Sequence, residues 1–209
     1  MKITRRNLES FVVKHATDAR VLDIGAGGSS YHRHFPNRVT IDIDPARKPD
    51  IVGDAHKLPF ADGEFKTVLC TEVLEHLKDP RLAISEMRRV LAPGGTLILT
   101  TRFVYPLHDT PHDYFRYTKY GLTELFADWD IVELIPEVGT FSTVGVLLQR
   151  IGFQTKLRGG KFTKVFVYAL AWLFDRMNWL LKEEFGDIKR SQSETDILAS
   201  GYYLVCKKK

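Results

Sequence analysis

Cysteine is scarce, with two in 209 residues. Cys70 and Cys206 both fall in apolar, strand-like segments, which excludes a disulfide framework; the thiols read as small core hydrophobes, and a reducing compartment follows. A targeting segment is not expected either. The opening residues carry a charge every few positions and contain no apolar stretch of signal-peptide length, so a cytoplasmic protein is expected. The most apolar stretch, VFVYALAWLF at 165–174, is closed by Asp175 and Arg176 and falls short of the roughly 20 residues a membrane-spanning helix needs. Metal-ligand spacing is lacking as well: His32 and His34 have no partner cluster and read as helix-surface residues, and no metal is expected. Charge of one sign is not concentrated anywhere but in Lys207, Lys208 and Lys209. The net charge of +4 therefore permits contact with anionic surfaces without implying nucleic acid.

What is present is a normal globular composition, 44% hydrophobic and 27% charged, which fits a single domain over 1–209. A leading helix is read over 3–16 from the spacing of Ile3, Leu8, Phe11 and Val12. Short apolar runs follow at 21–24, 39–43, 51–52, 67–70 and 96–101. Between the last two, Leu82, Ile84, Met87, Val90 and Leu91 give 80–91 a helical period, and Pro93-Gly94-Gly95 separates that helix from its strand. A helix over 118–126, a strand over 131–135 and a last strand over 202–206 complete the pattern. Strands alternating with helices indicate an α/β fold with a mostly parallel sheet and right-handed crossovers. The segment 140–200 differs in character and reads as a helical insertion before the final strand.

Three constellations carry chemistry. In VLDIGAGGSSY, residues 21–31, a strand runs into Asp23, Gly25, Gly27 and Gly28, with a helix expected from about Ser29. Glycines there allow close backbone approach to a ligand. A dinucleotide fingerprint would need glycine where Ser30 stands, and Asp23 puts a carboxylate on the strand, so the loop suits a ligand with a cationic amino group better than a pyrophosphate. In VTIDIDP, residues 39–45, Asp42 lies at the distance where a second strand delivers an acid to a ribose diol, while Asp44, before Pro45, reads as a turn residue. In the third, residues 52–80, Asp54 follows a short strand and is able to accept the exocyclic amino group of an adenine.

Together with RVLAPGGTLILTTR at 89–102, these segments resemble the class I S-adenosylmethionine-dependent methyltransferases, in particular the small-molecule group with D-x-G-x-G, G-D-A-x-x-L-P-F, E-V-L-E-H and L-x-P-G-G motifs. The resemblance covers roughly 20–135. It implies a Rossmann-like, doubly wound, seven-stranded sheet with an antiparallel last strand, and S-adenosyl-L-methionine as cofactor. It assigns Gly25 and Gly27 to the methionine part, Asp42 to the ribose, Asp54 and Ala55 to the adenine, and Thr71 to the lining; Ala26 and Ile43 fall in the same cofactor site.

On the acceptor side stand Glu75-His76 and the run HDTPHDYFRYT at 108–118. His76 and His112 are the candidate catalytic groups, and His108, Asp113, Tyr114, Arg116 and Tyr117 the candidate substrate-binding ones. For His76 the rival is a residue packing under the loop, and for Asp113 and Arg116 a structural ion pair. The acceptor expected is an unidentified small molecule or lipid-linked compound. Competing readings are a non-catalytic S-adenosylmethionine-binding partner subunit and, disfavoured by Ser30, a nicotinamide-dependent oxidoreductase. The basic residues Lys156, Arg158, Lys161 and Lys164, ahead of the aromatic stretch, make 156–181 either a lid over the acceptor or a peripheral membrane contact. Oligomeric state is not legible.

Overall fold

In the computed structural model, which describes residues 2–26 and 30–209, the apolar spacing of the opening segment gives α1 (Ile3–Lys14), with Ile3, Leu8, Phe11 and Val12 buried. The apolar run that follows is β1 (Val21–Ile24), buried at every position. After it come β2 (Arg38–Asp42), the short β3 (Ile51–Val52) and β4 (Phe65–Thr71). Then come α2 (Pro80–Val90), β5 (Leu91–Arg102), α3 (Lys119–Leu125) and β6 (Trp129–Pro136). Beyond these lie α4 (Thr140–Gln154), α5 (Gly160–Phe174), a small antiparallel hairpin of β7 (Glu184–Phe185) and β8 (Ser193–Glu194), and finally β9 (Gly201–Lys208).

Seven strands form one sheet in the order β3-β2-β1-β4-β5-β9-β6, mostly parallel with β9 antiparallel, the Rossmann-like architecture expected. β1 pairs in parallel with β2 on one side and β4 on the other. Strand order therefore reverses at β1, and in such sheets ligands bind outside the carboxyl ends at that point.

The chain groups into two compact units. The larger comprises Glu9–Arg102, Leu107–Ile135 and Tyr202–Lys209; the smaller comprises Met1–Leu8, Phe103–Pro106 and Pro136–Gly201. Within the smaller unit α4 and α5 pack closely because small residues let them: a Cβ at Gly145 would lie 2.7 Å from the Ala171 carbonyl oxygen, and one at Gly152 would lie 2.6 Å from the Tyr168 ring. Both cysteines are free and buried, and burial raises their thiol pKa values, that of Cys206 to about 12.

Three local expectations are corrected. Between β1 and β2 the described residues form a 3-10 turn, Ser30–His34, and not an α-helix. Leu82 is exposed, because the buried face of α2 is Ala83, Ile84, Met87 and Val90. Pro93-Gly94-Gly95 does not separate helix from strand: α2 ends at Val90 and Leu91 already pairs with Phe65, whereas Thr67 pairs with Thr96. The motif is thus an irregularity inside β5. Gly94 has φ +71°, and a Cβ at Gly95 would come within 2.8 Å of the Ala92 carbonyl oxygen, so both glycines are required there.

The G-D-A-x-x-L-P-F segment is fastened to α2 by one arginine. Arg89 donates to the carbonyls of Leu58 and Phe60 and to the carboxylates of Asp62 and Glu86, while Glu86 accepts from the Leu58 amide. Replacing Arg89 by alanine removes several charge-assisted bonds at once and is expected to cost about 1.5–3 kcal/mol. Urea unfolding of Arg89→Ala measures it, and a loss under about 0.5 kcal/mol, the size of an ordinary surface substitution, would contradict this account.

Candidate active site

The carboxyl ends of β3, β2, β1 and β4 present, in that spatial order, Asp54, Asp42, Gly25 with Asp23 behind it, and Thr71. The Gly53 amide donates to the Asp42 carbonyl at 3.0 Å, which joins the ends of β2 and β3. Asp42 is largely buried; its Oδ1 accepts the Asp44 amide at 2.9 Å, and Arg47 lies 3.7 Å from its Oδ2. Asp44 caps the turn 45–47 through the Ala46 amide, the turn role read from its place before Pro45. Next to Asp42, Ile43 is an apolar side chain left 70% exposed at the strand end. Ala26 and Ala55 are buried. Gly27 lies outside the described residues.

Asp54 Oδ1 takes both the amide and the ring Nδ1 of His56, whose Nε2 accepts the Asp79 amide at 3.2 Å. Burial works to raise the Asp54 pKa, and the His56 bonds outweigh it, leaving the carboxyl below its usual value. At the other end of the row, the hydroxyls of Thr71 and Tyr31 share a hydrogen bond of 2.6 Å, which ties the turn after β1 to the end of β4.

Asp23 is the group most in need of a partner. It is fully buried, with Arg38 Nη1 at 3.4 Å from Oδ2, and neither oxygen makes a hydrogen bond among the described residues. Burial pushes its pKa up to about 7, with the Arg38 guanidinium pulling the other way. Beyond it Gly25, at φ +72°, leaves room that a Cβ would destroy by meeting Val73 Cγ2 at 2.2 Å. A buried carboxylate without a hydrogen bond behind a glycine turn, an acid at the next strand end and an exposed apolar residue beside it are groups that fit the methionine amino group, ribose and adenine of S-adenosylmethionine.

The residues expected on the acceptor side lie in the turn after β4 and the loop after β5. Glu72 adopts φ +56°, and its carboxylate pairs with Arg102 at the end of β5. A 3-10 turn, Leu74–His76, follows. The loop is clamped onto that turn: the amides of Tyr114 and Phe115 both donate to the Glu75 carbonyl, the Tyr117 hydroxyl donates to the Leu74 carbonyl, and the Tyr117 amide to the Arg102 carbonyl. His76 Nδ1 donates to the His112 carbonyl at 2.5 Å, and the His76 and His108 rings meet edge to face at 4.7 Å. His112 Nδ1 sits 3.0 Å from the Tyr114 hydroxyl.

Asp113 and Arg116 are joined in a bidentate pair of 2.6 and 2.7 Å, and Asp113 also accepts the His108 amide. Those arginine bonds hold the Asp113 carboxyl down at about 2 despite partial burial. The structural pair read from the sequence is therefore present, while Tyr114 and Phe115 remain exposed and Tyr117 is buried. His108 is half-buried, and burial followed by the nearness of His76 lowers its pKa against the pull of Asp113. Glu75, fully buried, is raised by burial against Arg102; Thr101 donates to its Oε2 at 2.8 Å.

Sequence reasoning did not assign roles to Arg102, Glu72, Tyr31 or His56. Glu72 lay within the E-V-L-E-H motif and was legible there. Arg102 and Tyr31 meet their partners only through the sheet and its loops, and His56 reaches the Asp79 amide only in that way.

The state of Asp23 has a pH signature. Its raised pKa means that the folded chain keeps this proton after the unfolded chain has lost it, so its contribution favours folding at low pH and is lost as pH rises through about 7. A cationic amino group prefers the carboxylate, so binding S-adenosylhomocysteine below pH 7 is expected to release a proton and to tighten as pH rises. Calorimetry in buffers of different ionisation enthalpy reads the proton directly; release unchanged in Asp23→Asn would rule out the assignment.

Residues 22–99 match a family model described as a methyltransferase domain. A demethylmenaquinone methyltransferase of Renibacterium salmoninarum is 35% identical over 101 residues, covering 42% of each chain. This chain thus matches less than half the length of that relative. Among solved structures, a provisionally assigned methyltransferase of Bacillus halodurans C-125 superposes with a TM-score of 0.59 at 18% identity, over 96% of this chain and 98% of that one. The N-methyltransferase NodS of Bradyrhizobium japonicum WM9, solved with S-adenosylhomocysteine, has a TM-score of 0.52 at 21% identity, over 65% of this chain and 80% of that one. The family match over residues 22–99 and the strand order make this chain similar to the class I S-adenosylmethionine-dependent methyltransferases, whose fold it shares.

Proposed function

We infer that the protein transfers the methyl group of S-adenosylmethionine to a small, ring-bearing apolar acceptor held by the loop 107–118. The observation that carries this reading is the clamp of that loop onto the Glu75-His76 turn, which gathers three imidazoles and two exposed aromatic rings at the ends of β4 and β5. The acids assigned to the cofactor, Asp54 after β3, Asp42 on β2 and Asp23 on β1, follow the sheet order, so the methyl end of a cofactor laid along that edge would point toward β4 and β5. The Renibacterium relative is named for demethylmenaquinone, which supports an apolar ring as acceptor.

The sulfonium of the cofactor supplies the activated methyl when bound. Asp23, Asp42 and Asp54 would hold that cofactor, and Tyr114 and Phe115 would cover the acceptor and exclude water. His112, at the rim with its ring against Tyr114, is placed to accept a proton if the nucleophile is a hydroxyl. With a labelled-methyl assay against quinol and phenol acceptors and a cell extract, His112→Ala is expected to lower kcat/KM about 100-fold or more while S-adenosylhomocysteine affinity and thermal stability are kept. Binding of S-adenosylhomocysteine without transfer to any acceptor would favour the partner-subunit reading instead.

A second part of the reading concerns α5. Phe162, Val165, Phe166, Trp172 and Leu173 share one exposed face of this helix, Phe162 at 89% exposure, and Trp179 beyond it is 80% exposed. Lys156, Arg158, Lys161 and Lys164 flank or interleave that face. No described helix is long and apolar enough to cross a membrane. An apolar face with a basic flank matches an anionic lipid surface, the phase in which an apolar acceptor would reside. Sedimentation with vesicles containing phosphatidylserine is expected to be strong, to fall with salt and to be lost in Phe162→Ser/Trp172→Ser. Equal binding to neutral vesicles or to none would overturn it.

A further inference from the structure

We propose that Glu75, His76 and His108 form a binding site for a divalent transition-metal ion beside the acceptor loop. One ligand atom from each lies within 4.8 Å of the others, and Glu75 Oε1 stands 3.8 Å from His108 Nε2. Four-coordinate ions with bonds near 2.0–2.1 Å hold their ligands roughly 3.3 Å apart, so side-chain movements of about an ångström close the set.

Two further observations favour an ion over a chance grouping. First, each imidazole has an oxygen near its other nitrogen, hydrogen-bonded in His76 and without a hydrogen bond in His108. His76 Nδ1 faces the His112 carbonyl, which only accepts, so the neutral ring carries its proton on Nδ1 and leaves the Nε2 lone pair open. His108 Nδ1 lies 3.4 Å from Asp113 Oδ2, so a carboxylate stands behind that ring, and Asp113 is itself fixed by Arg116. A carbonyl or carboxylate behind the far nitrogen is how metal-bound histidines are held.

Second, Glu75 is fully buried, and its Oε1 has no hydrogen-bond partner among the described residues although Oε2 accepts from Thr101. A buried carboxylate oxygen without a donor is costly unless something cationic meets it.

Two imidazoles and one carboxylate suit zinc, cobalt, manganese or iron in the divalent state, and leave coordination positions open. On the reading above, an acceptor oxygen would enter one of them, and His112 is then left as the proton acceptor because His76 is a ligand. The metal site itself does not depend on that reading.

The test uses the untagged full chain, stripped with chelator and titrated with cobalt(II). Uptake of one equivalent with visible ligand-field bands is expected, displaced by zinc. Glu75→Gln and, should that variant fail to fold, His108→Gln are each expected to lose at least tenfold in affinity, and Asp113→Asn to weaken binding tenfold to a hundredfold by freeing the His108 ring. Folding is checked by thermal melting, and S-adenosylhomocysteine binding is measured in parallel. Absence of cobalt binding in a chain that binds S-adenosylhomocysteine, or cobalt binding unchanged in the folded variants, would overturn the metal site. A chain that takes up cobalt but not S-adenosylhomocysteine would keep the site and defeat the methyltransferase reading.

Discussion

The structure depends on β1 being hydrogen-bonded in parallel on both edges, to β2 and to β4, while all its residues are buried. A strand enclosed this way offers the outside only its ends. At the carboxyl end the chain must turn at once, Gly25 supplies the left-handed backbone for that turn, and the loops from β2 and β4 emerge on either side. Parallel pairing aligns the carboxyl ends of neighbouring strands, so acids that are far apart in the chain are brought to one edge.

That edge is polar, and the protein deals with its charges in two different ways. Most carboxylates are matched locally: Asp54 with His56, Glu72 with Arg102, Asp113 with Arg116. Two are matched less fully: Asp23, with Arg38 3.4 Å away, and Glu75, which shares Arg102 with Glu72, are both fully buried, each has an oxygen without a hydrogen bond among the described residues, and burial raises the pKa of both. Buried polar groups without partners are rare in folded chains and need a reason. Here Asp23 lies on β1 behind the glycine turn and Glu75 in the turn that follows β4, both toward the carboxyl edge of the sheet. The thiol of Cys70 is raised by burial and then by the nearness of both acids, and so stays inert between them.

The loop after β5 shows how position outweighs residue type. Its histidines and aromatics were visible as a cluster, but the same letters would serve equally in a structural loop. What separates the two cases is the pair of amides, from Tyr114 and Phe115, donating to the one carbonyl of Glu75. They bring a loop beyond β5 onto a turn beyond β4 and thereby set His76 against His108. In the same loop Tyr117 turns inward to the core, whereas Tyr114 and Phe115 stay at the surface.

By itself the sequence determined the alternation of strand and helix, the apolar face of α1, the glycine turn after β1 and the acids at the ends of β2 and β3. These are properties of neighbours in the chain: period, turn chemistry and strand termini are fixed within a few residues. The α/β class was legible for that reason, while the cofactor came with the family resemblance that the motifs carry. Only the tertiary structure decided that Pro93-Gly94-Gly95 lies inside β5, because Leu91 finds Phe65 across the sheet before the glycines are reached. It likewise decided that Glu75, His76 and His108 converge, against the expectation from spacing, since a ligand set drawn from two loops has no period in the sequence and is made by hydrogen bonds between residues more than 30 positions apart.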